Sequence, residues 1–142
     1  MCFDHCAERI IAAINDTRDS LDVAIFALTH PAITAALEDA PRRGVRIRIV
    51  ADQLQAKGRY SKIPHLTSRG VAVQLRGGYK GGRSSMHNKF AVFDGRLVVT
   101  GSFNWTTSAD SRNRENAVFF SDPAAAVARY AEEFERLWLP AP

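Results

Sequence analysis

The chain has 142 residues, 46% of them hydrophobic, and a formal charge of +4. That length and apolar content are expected to give one globular domain over residues 1–142 with a buried core. The positive excess favours polyanionic partners, nucleic acid or an anionic lipid surface, and two cysteines are too few for a disulfide framework.

Ala7, Ile10, Ile11 and Ile14 recur at helical spacing and mark an amphipathic first helix, with Asp4 as its candidate cap. Leu21 to Leu28 reads as a strand, followed by a helix that opens near Pro31 and ends before Pro41. From Val45 to Val50 apolar residues alternate with Arg46 and Arg48, which predicts a strand with one wet face near a sheet edge. Residues Lys57 to Lys62 form a basic loop around Tyr60. Pro64 to Arg69 then gives a short helix, and Val71 to Leu75 another strand. The glycine-rich segment from Arg76 to Ser85 leads directly into His87 and reads as a functional loop whose glycines allow mobility, the alternative being an ordinary flexible connector. In it Lys80 and Arg83 offer phosphate contacts and Tyr79 a stacking face. After a hairpin, Ala117 to Phe120 is a further strand. Asp122-Pro123 caps a last helix whose Val127, Tyr130, Ala131, Phe134, Leu137 and Trp138 form an apolar stripe. Strands alternating with helices predict an α/β fold, a mixed β-sheet sandwiched by helices on both faces.

No run is long enough to cross a membrane and no basic-then-apolar leader is seen, so a cytoplasmic home is expected. Cys2, His5 and Cys6 cluster, but a closed zinc site wants four ligands; no metal is expected, and the cysteines are expected to be reduced, partly buried thiols.

The chemistry concentrates between His87 and Asn104. Phe90 to Phe93 and Leu97 to Thr100 are short runs of β-formers around Asp94-Gly95, the strongest short hairpin signal. A two-residue loop would set Lys89 opposite Thr100 and His87 opposite Ser102. His87, Lys89 and Ser102 would then share a face, with Asn104 following if the strand runs on. A three-residue loop would separate those faces. An ammonium, neutral donors and an imidazole suit a phosphate: the donors hold its oxygens while the imidazole attacks phosphorus or protonates a leaving oxygen. Asp94 either starts the tight turn or shares in the chemistry.

His87-x-Lys89, then Asp94, then Gly101-Ser102-x-Asn104 resemble the signature of the phospholipase D superfamily. The segments Ser20–Thr29, Arg43–Asp52, Asn113–Asn116 and Glu132–Trp138 resemble its single-motif branch, which spans small endonucleases and cardiolipin hydrolases. The resemblance implies a metal-independent phosphodiesterase, without cofactors, that works through a phosphohistidine. On this chain His87 would be nucleophile or acid, Lys89 and Asn104 would hold phosphate oxygens, and Ser102 would sit in the phosphate-binding turn. Asp94 matches the motif aspartate, and Glu115 matches a carboxylate that orients the histidine through its other nitrogen. Such chemistry needs two histidines, and His5, His30 and His65 lie in unrelated contexts, read as surface or structural. A homodimer would supply the second from another copy of His87. The expected substrate is DNA or RNA, single strands favoured. The alternatives are cardiolipin or another phospholipid, and a non-catalytic nucleic-acid-binding module.

Overall fold

Runs of β-branched and aromatic residues pair into a seven-stranded mixed sheet in the computed structural model, which describes residues 1–139. The strands are β1 (Ser20–Ile25), β2 (Arg46–Asp52), β3 (Ala72–Gly78), β4 (Gly81–Ser85), β5 (Lys89–Phe93), β6 (Leu97–Gly101) and β7 (Ala117–Phe120). Their spatial order is β4-β3-β2-β1-β5-β6-β7; β1, β2 and β3 run parallel, and the other neighbours pair antiparallel. The two parallel crossovers pass through α2 (Pro31–Asp39) and α3 (Ile63–Ser68).

Helices cover both faces, as the alternation of elements implied. On one, α1 (Cys6–Asp16), α2 and α3 send Ile10, Ile14, Ile33, Leu37 and Leu66 against Leu21, Val23, Ile25, Ile49, Phe93 and Val99. On the other, α5 (Ala124–Trp138) packs Val127 and Phe134 against Ala24, Val50, Phe90, Val92 and Val98. Successive residues of a strand point to opposite layers, so Val23-Ala24-Ile25 is apolar throughout because both of its faces are dry.

Several local expectations are corrected. The strand carrying Arg46 and Arg48 is β2, which lies inside the sheet between β1 and β3. Arg46 is exposed, but Arg48 is largely covered: its guanidinium lies 5.0 Å from the Phe134 ring centroid and 5.3 Å from that of Trp138. Asp22 accepts from Arg48 Nε at 2.8 Å, and Glu135 pairs with it too. The bond to Asp22 raises the guanidinium pKa, burial works the other way, and Glu135 adds to the rise. Alternating arginines signal a wet face only when no carboxylate allows the stem to lie on aromatic surface.

Asp4 does not cap α1. The preceding residue is His5, left-handed at φ 52°, and the Ala7 N–H is taken at 3.0 Å by Asp110 of the short helix α4 (Thr107–Ser111). Asp122 gives α5 no side-chain cap either; Pro123 occupies that position. Cys2 and Cys6 are joined as a disulfide, so they are not the reduced thiols expected. The glycine-rich connector is instead the tip and return strand of a β3–β4 hairpin, where Ser84 Oγ accepts the Lys80 N–H at 3.0 Å.

The β5–β6 turn holds three residues rather than two. Asp94 and Gly95 are both left-handed, at φ 51° and 63°, but Leu97 rather than Arg96 pairs with Phe93, and Phe90 pairs with Thr100. This register sets Val92 opposite Val98 under α5 and Ala91 opposite Val99 under α1 and α2, so the dry layers decide it over the turn. Asp94 therefore stands at the far end of β5 from His87, and its proposed share in the chemistry is corrected to a structural one. Its carboxylate accepts the backbone N–H groups of Arg18, Asp19 and Ser20 at 3.0, 2.7 and 2.9 Å, tying the turn to the start of β1. Burial alone would raise its pKa, but those donors, with Arg96, outweigh burial and hold it below the ordinary value.

A depressed folded-state pKa stabilises above the unfolded value, and the contribution is lost as pH falls through the folded one. Asp94→Asn is expected to cost about 1 kcal/mol at neutral pH in urea denaturation, with the deficit closing in acid as the native carboxylate protonates. A deficit equal at pH 7 and pH 3 would contradict this role.

Candidate active site

Antiparallel pairing of β5 with β1 sets Lys89 opposite Ile25. The amino end of β5 therefore meets the carboxyl ends of β1, β2 and β3, with the end of β6 and the start of β7 alongside. Carboxyl ends of parallel strands are where open α/β sheets present ligand-binding groups. The pairing extends one step beyond the strands, since the Phe26 N–H donates to the Asn88 carbonyl at 2.9 Å.

The exposed His87 ring packs on Phe26, with centroids 4.5 Å apart and planes inclined by 49°. Lys89 Nζ sits 5.2 Å from the centroid of the same Phe26 ring. It lies 3.0 Å from His87 Nδ1 and donates to the His87 carbonyl at 2.8 Å. An ammonium has donors and no acceptor, so Nδ1 accepts, and the neutral imidazole carries its proton on Nε2. Burial pushes the Lys89 ammonium below its ordinary pKa, and the nearby Glu115 carboxylate works the other way.

Ser102 arrives by a route the sequence did not suggest. One step of register removes it from the strand face of Lys89, so the shared face expected from a two-residue loop does not form. Instead Gly101, at φ 151°, turns the chain off β6 toward the start of β7. The Ser102 and Phe103 N–H groups both donate to the Asn116 carbonyl, at 3.1 and 3.3 Å. The Asn116 N–H donates back to Ser102 Oγ at 3.0 Å, and the Ser102 hydroxyl donates to Glu115. A side chain on Gly101 would overlap the Asn116 carbonyl oxygen. Glu115 also accepts from Asn113 Nδ2 at 3.2 Å. Its bonds go to Ser102 and Asn113, not to His87, so within one chain Glu115 does not orient the imidazole directly.

Asn104 is half-buried, its Oδ1 accepting the Ala27 N–H at 3.3 Å; Trp105, next in sequence, is core. Of the connector residues, fully exposed Tyr79 reaches the site, lining with Gly77, Gly78, Met86 and His87 a cleft of about 530 Å³. Lys80 and Arg83 stand exposed outside that lining. The remaining histidines lie outside that lining: His5 precedes α1 and makes no side-chain cap bond, His30 Nδ1 accepts the Ile33 N–H and pairs with Asp110, and His65 bonds Glu38.

Two residues that sequence reasoning missed hold the site. Phe26 is the platform under His87 and Lys89. Asp52, 1% exposed at the end of β2, accepts the Met86 N–H at 2.9 Å through Oδ1 and the Leu54 and Gln55 N–H groups at 3.0 Å through Oδ2. One carboxylate thus fixes the residue before His87. A carboxylate closing the apolar run Ile47–Ala51 was the signal available, because a buried charge needs dedicated donors.

Asp52→Ala leaves three backbone donors without their acceptor and should cost about 3 kcal/mol in denaturant titration, while Asp52→Asn should cost less. Equal, negligible losses would contradict the pinning role. Nitrogen-15 NMR of the ligand-free protein above the imidazole titration should show His87 as the Nε2–H tautomer. An Nδ1–H signal would overturn the Lys89 contact.

Residues 10–138 match the family model described as cardiolipin synthase, PLD-like domain. The chain is 38% identical over 137 residues to the mitochondrial cardiolipin hydrolase of Xenopus laevis, across 95% of this chain and 62% of that protein. It is 34% identical over 134 residues to a phospholipase D of Rickettsia bellii, across 94% of this chain and 62% of that protein. Among solved structures, Nuc from Salmonella typhimurium, a phospholipase D family member, aligns with a TM-score of 0.83 at 28% identity, covering 92% of this chain and 85% of that one. NucT from Helicobacter pylori aligns with a TM-score of 0.84 at 26% identity, covering 92% and 86%. The chain spans roughly half to three fifths of the length of the curated relatives it matches. With His87, Lys89, Ser102 and Asn104 gathered at one end of a sheet of the same architecture, the chain belongs to the phospholipase D superfamily, in its PLD-like domain family.

Proposed function

We propose that this domain hydrolyses phosphodiester bonds without a metal, through a phosphohistidine on His87, as a homodimer acting on nucleic acid. The observation that carries the reading is the Lys89 ammonium held 3.0 Å from the exposed His87 imidazole on a shared aromatic platform. The groups gathered there are one cation, hydroxyl and amide donors and an imidazole, a set suited to phosphate oxygens and phosphorus.

In the reading, a phosphate oxygen draws Lys89 away from Nδ1, which is then free to take a proton and leave the lone pair on Nε2. That pair attacks phosphorus, a P–N bond forms, and the P–O bond to the leaving group breaks with its electrons on oxygen. The leaving oxygen takes a proton from the partner subunit's His87. That imidazole, now neutral, accepts a proton from water as the water oxygen attacks phosphorus; the P–N bond breaks and its electrons return to the first imidazole. Asn104 holds a non-bridging oxygen through Nδ2; Ser102 joins it once its hydroxyl turns from Glu115, and the Glu115 carboxylate so released becomes the acceptor for the Nδ1 proton. One imidazole must be neutral and the other protonated, so the rate should follow a bell-shaped pH profile.

The second imidazole is assigned to another copy because none of His5, His30 and His65 lines the cleft beside His87, and His30 and His65 are paired with Asp110 and Glu38. Nucleic acid is favoured by the basic β3–β4 hairpin with Tyr79 fully exposed beside His87, a face on which a base can stack. A lipid substrate is the second reading, favoured by the relatives named cardiolipin hydrolase and phospholipase D. Binding without turnover ranks third, since binding alone has no use for a nucleophile. The cytoplasmic home expected from the sequence sits poorly with the Cys2–Cys6 disulfide, which reducing compartments disfavour.

Purified protein in EDTA should cleave labelled single-stranded DNA or RNA, and His87→Ala should lose at least 10³-fold, on the order of an essential nucleophile. Phosphatidic acid released from cardiolipin vesicles, with nucleic acid left intact, would decide for the lipid. Exchanging wild-type subunits with His87→Ala should reduce activity as the square of the wild-type fraction; a linear fall would contradict the shared site.

A further inference from the structure

A second cleft, of about 800 Å³, opens on the Ala27 side of the site. Ala27 belongs to both places: its N–H is bonded by Asn104, and it lines this cleft together with Arg59, Tyr60, Lys62, Thr106 and Arg112. The loop carrying Arg59 to Lys62 is fixed there, because the Lys62 N–H donates to the Leu28 carbonyl at 2.9 Å and Leu28 bridges to Trp105. The opposite wall comes from α4 and the residue that follows it, Arg112.

The charges of this cleft are uncompensated. Among the described residues no carboxylate lies within ion-pair distance of Arg59, Lys62 or Arg112; the same holds for Arg18, Arg96 and Arg129, but here three such cations line one hollow. The cleft beside Tyr79 differs. Its lining includes Met86, Leu137 and Leu139, and its Glu133 and Arg136 neutralise each other at 3.1 Å. Three cations facing one hollow repel each other and gain only when an anion enters. Beside them Tyr60 is 72% exposed, with the Arg59 guanidinium 5.5 Å from its ring centroid.

We infer that this cleft is the subsite for the neighbouring phosphate and base of a single-stranded nucleic acid whose scissile phosphate lies at His87 and Lys89. The inference rests on the phosphodiesterase reading only for the position of the scissile phosphate. Arg59, Lys62 and Arg112 take the flanking phosphate; Tyr60, backed by Arg59, takes the base attached to it. Repeating phosphates with planar bases between them match a hollow that offers cations and one open aromatic face.

The test reads binding without turnover, so it stands apart from the cleavage assay. A fluorescein-labelled oligothymidylate is titrated by anisotropy into the His87→Ala protein over a range of salt. Adding Arg59→Ala, Lys62→Ala and Arg112→Ala together should raise Kd at least tenfold. The slope of log K against log salt should fall by about 0.7, the value for one single-strand phosphate no longer neutralised. Tyr60→Ala alone should raise Kd about fivefold or more with the slope unchanged. A charge-matched control, Arg18→Ala with Arg96→Ala and Arg129→Ala, should keep most of the affinity. Unchanged Kd and slope in the cleft variant would overturn the inference, as would an equal loss in the control. Loss of cardiolipin-vesicle binding alone, with oligonucleotide binding retained, would also overturn it and assign the cleft to a lipid headgroup.

Discussion

The site depends on one ladder. Because β5 runs antiparallel to β1 with Lys89 opposite Ile25, the strand that brings His87 begins where the parallel strands end. Shift that pairing by one residue and Lys89 would leave the end of the sheet for the layer occupied by Phe90 and Val92, under α5. The burial of Ala24 and Phe90 on one side, and of Val23, Ile25 and Ala91 on the other, makes such a shift costly. The core thus sets the active-site geometry, and the polar groups inherit their position from it.

Around that ladder the polar residues are held by backbone groups more than by one another. Asp52 fixes Met86, the Ala27 N–H fixes Asn104, and the Asn116 carbonyl fixes Ser102 and Phe103. Backbone anchors do not change with the protonation state of the imidazole, so the donors keep their places while the chemistry moves a proton. Lys89 is the exception. It rests on His87 and Phe26, and in the proposed reaction it exchanges a ring nitrogen for a phosphate oxygen. Its partial burial disfavours the charged form, so an anionic partner at Nζ is favoured over a neutral ring nitrogen.

Much of this was legible from the residues, in uneven measure. The apolar periods of Ile10–Ile14, Val23–Ile25 and Val127–Phe134 mark their elements because each faces a dry layer. The motif marks His87, Lys89, Ser102 and Asn104, and the fold does collect them. What failed were features that join distant parts of the chain. Asp110 caps α1 from 103 residues away, and Arg48 is covered by α5 from 87 residues away. Neither partner is visible in a local window. The Asp94-Gly95 turn misled for a related reason. Two left-handed residues predict a short loop, but the register belongs to Val92, Val98 and Val99 in the layers above and below. Asp94 matches the motif and yet serves the turn, so a signature residue can be kept for the scaffold that presents the others.

Turnover by the proposed route bonds the His87 imidazole to phosphorus. A diester radiolabelled on phosphorus, mixed rapidly with the protein and quenched in alkaline denaturant, which spares P–N bonds, would trap that species for mass spectrometry. Label is expected on His87, forming and decaying at rates compatible with turnover, and absent from His87→Ala. Steady product release with no label on the chain, or label on any other residue, would contradict that route.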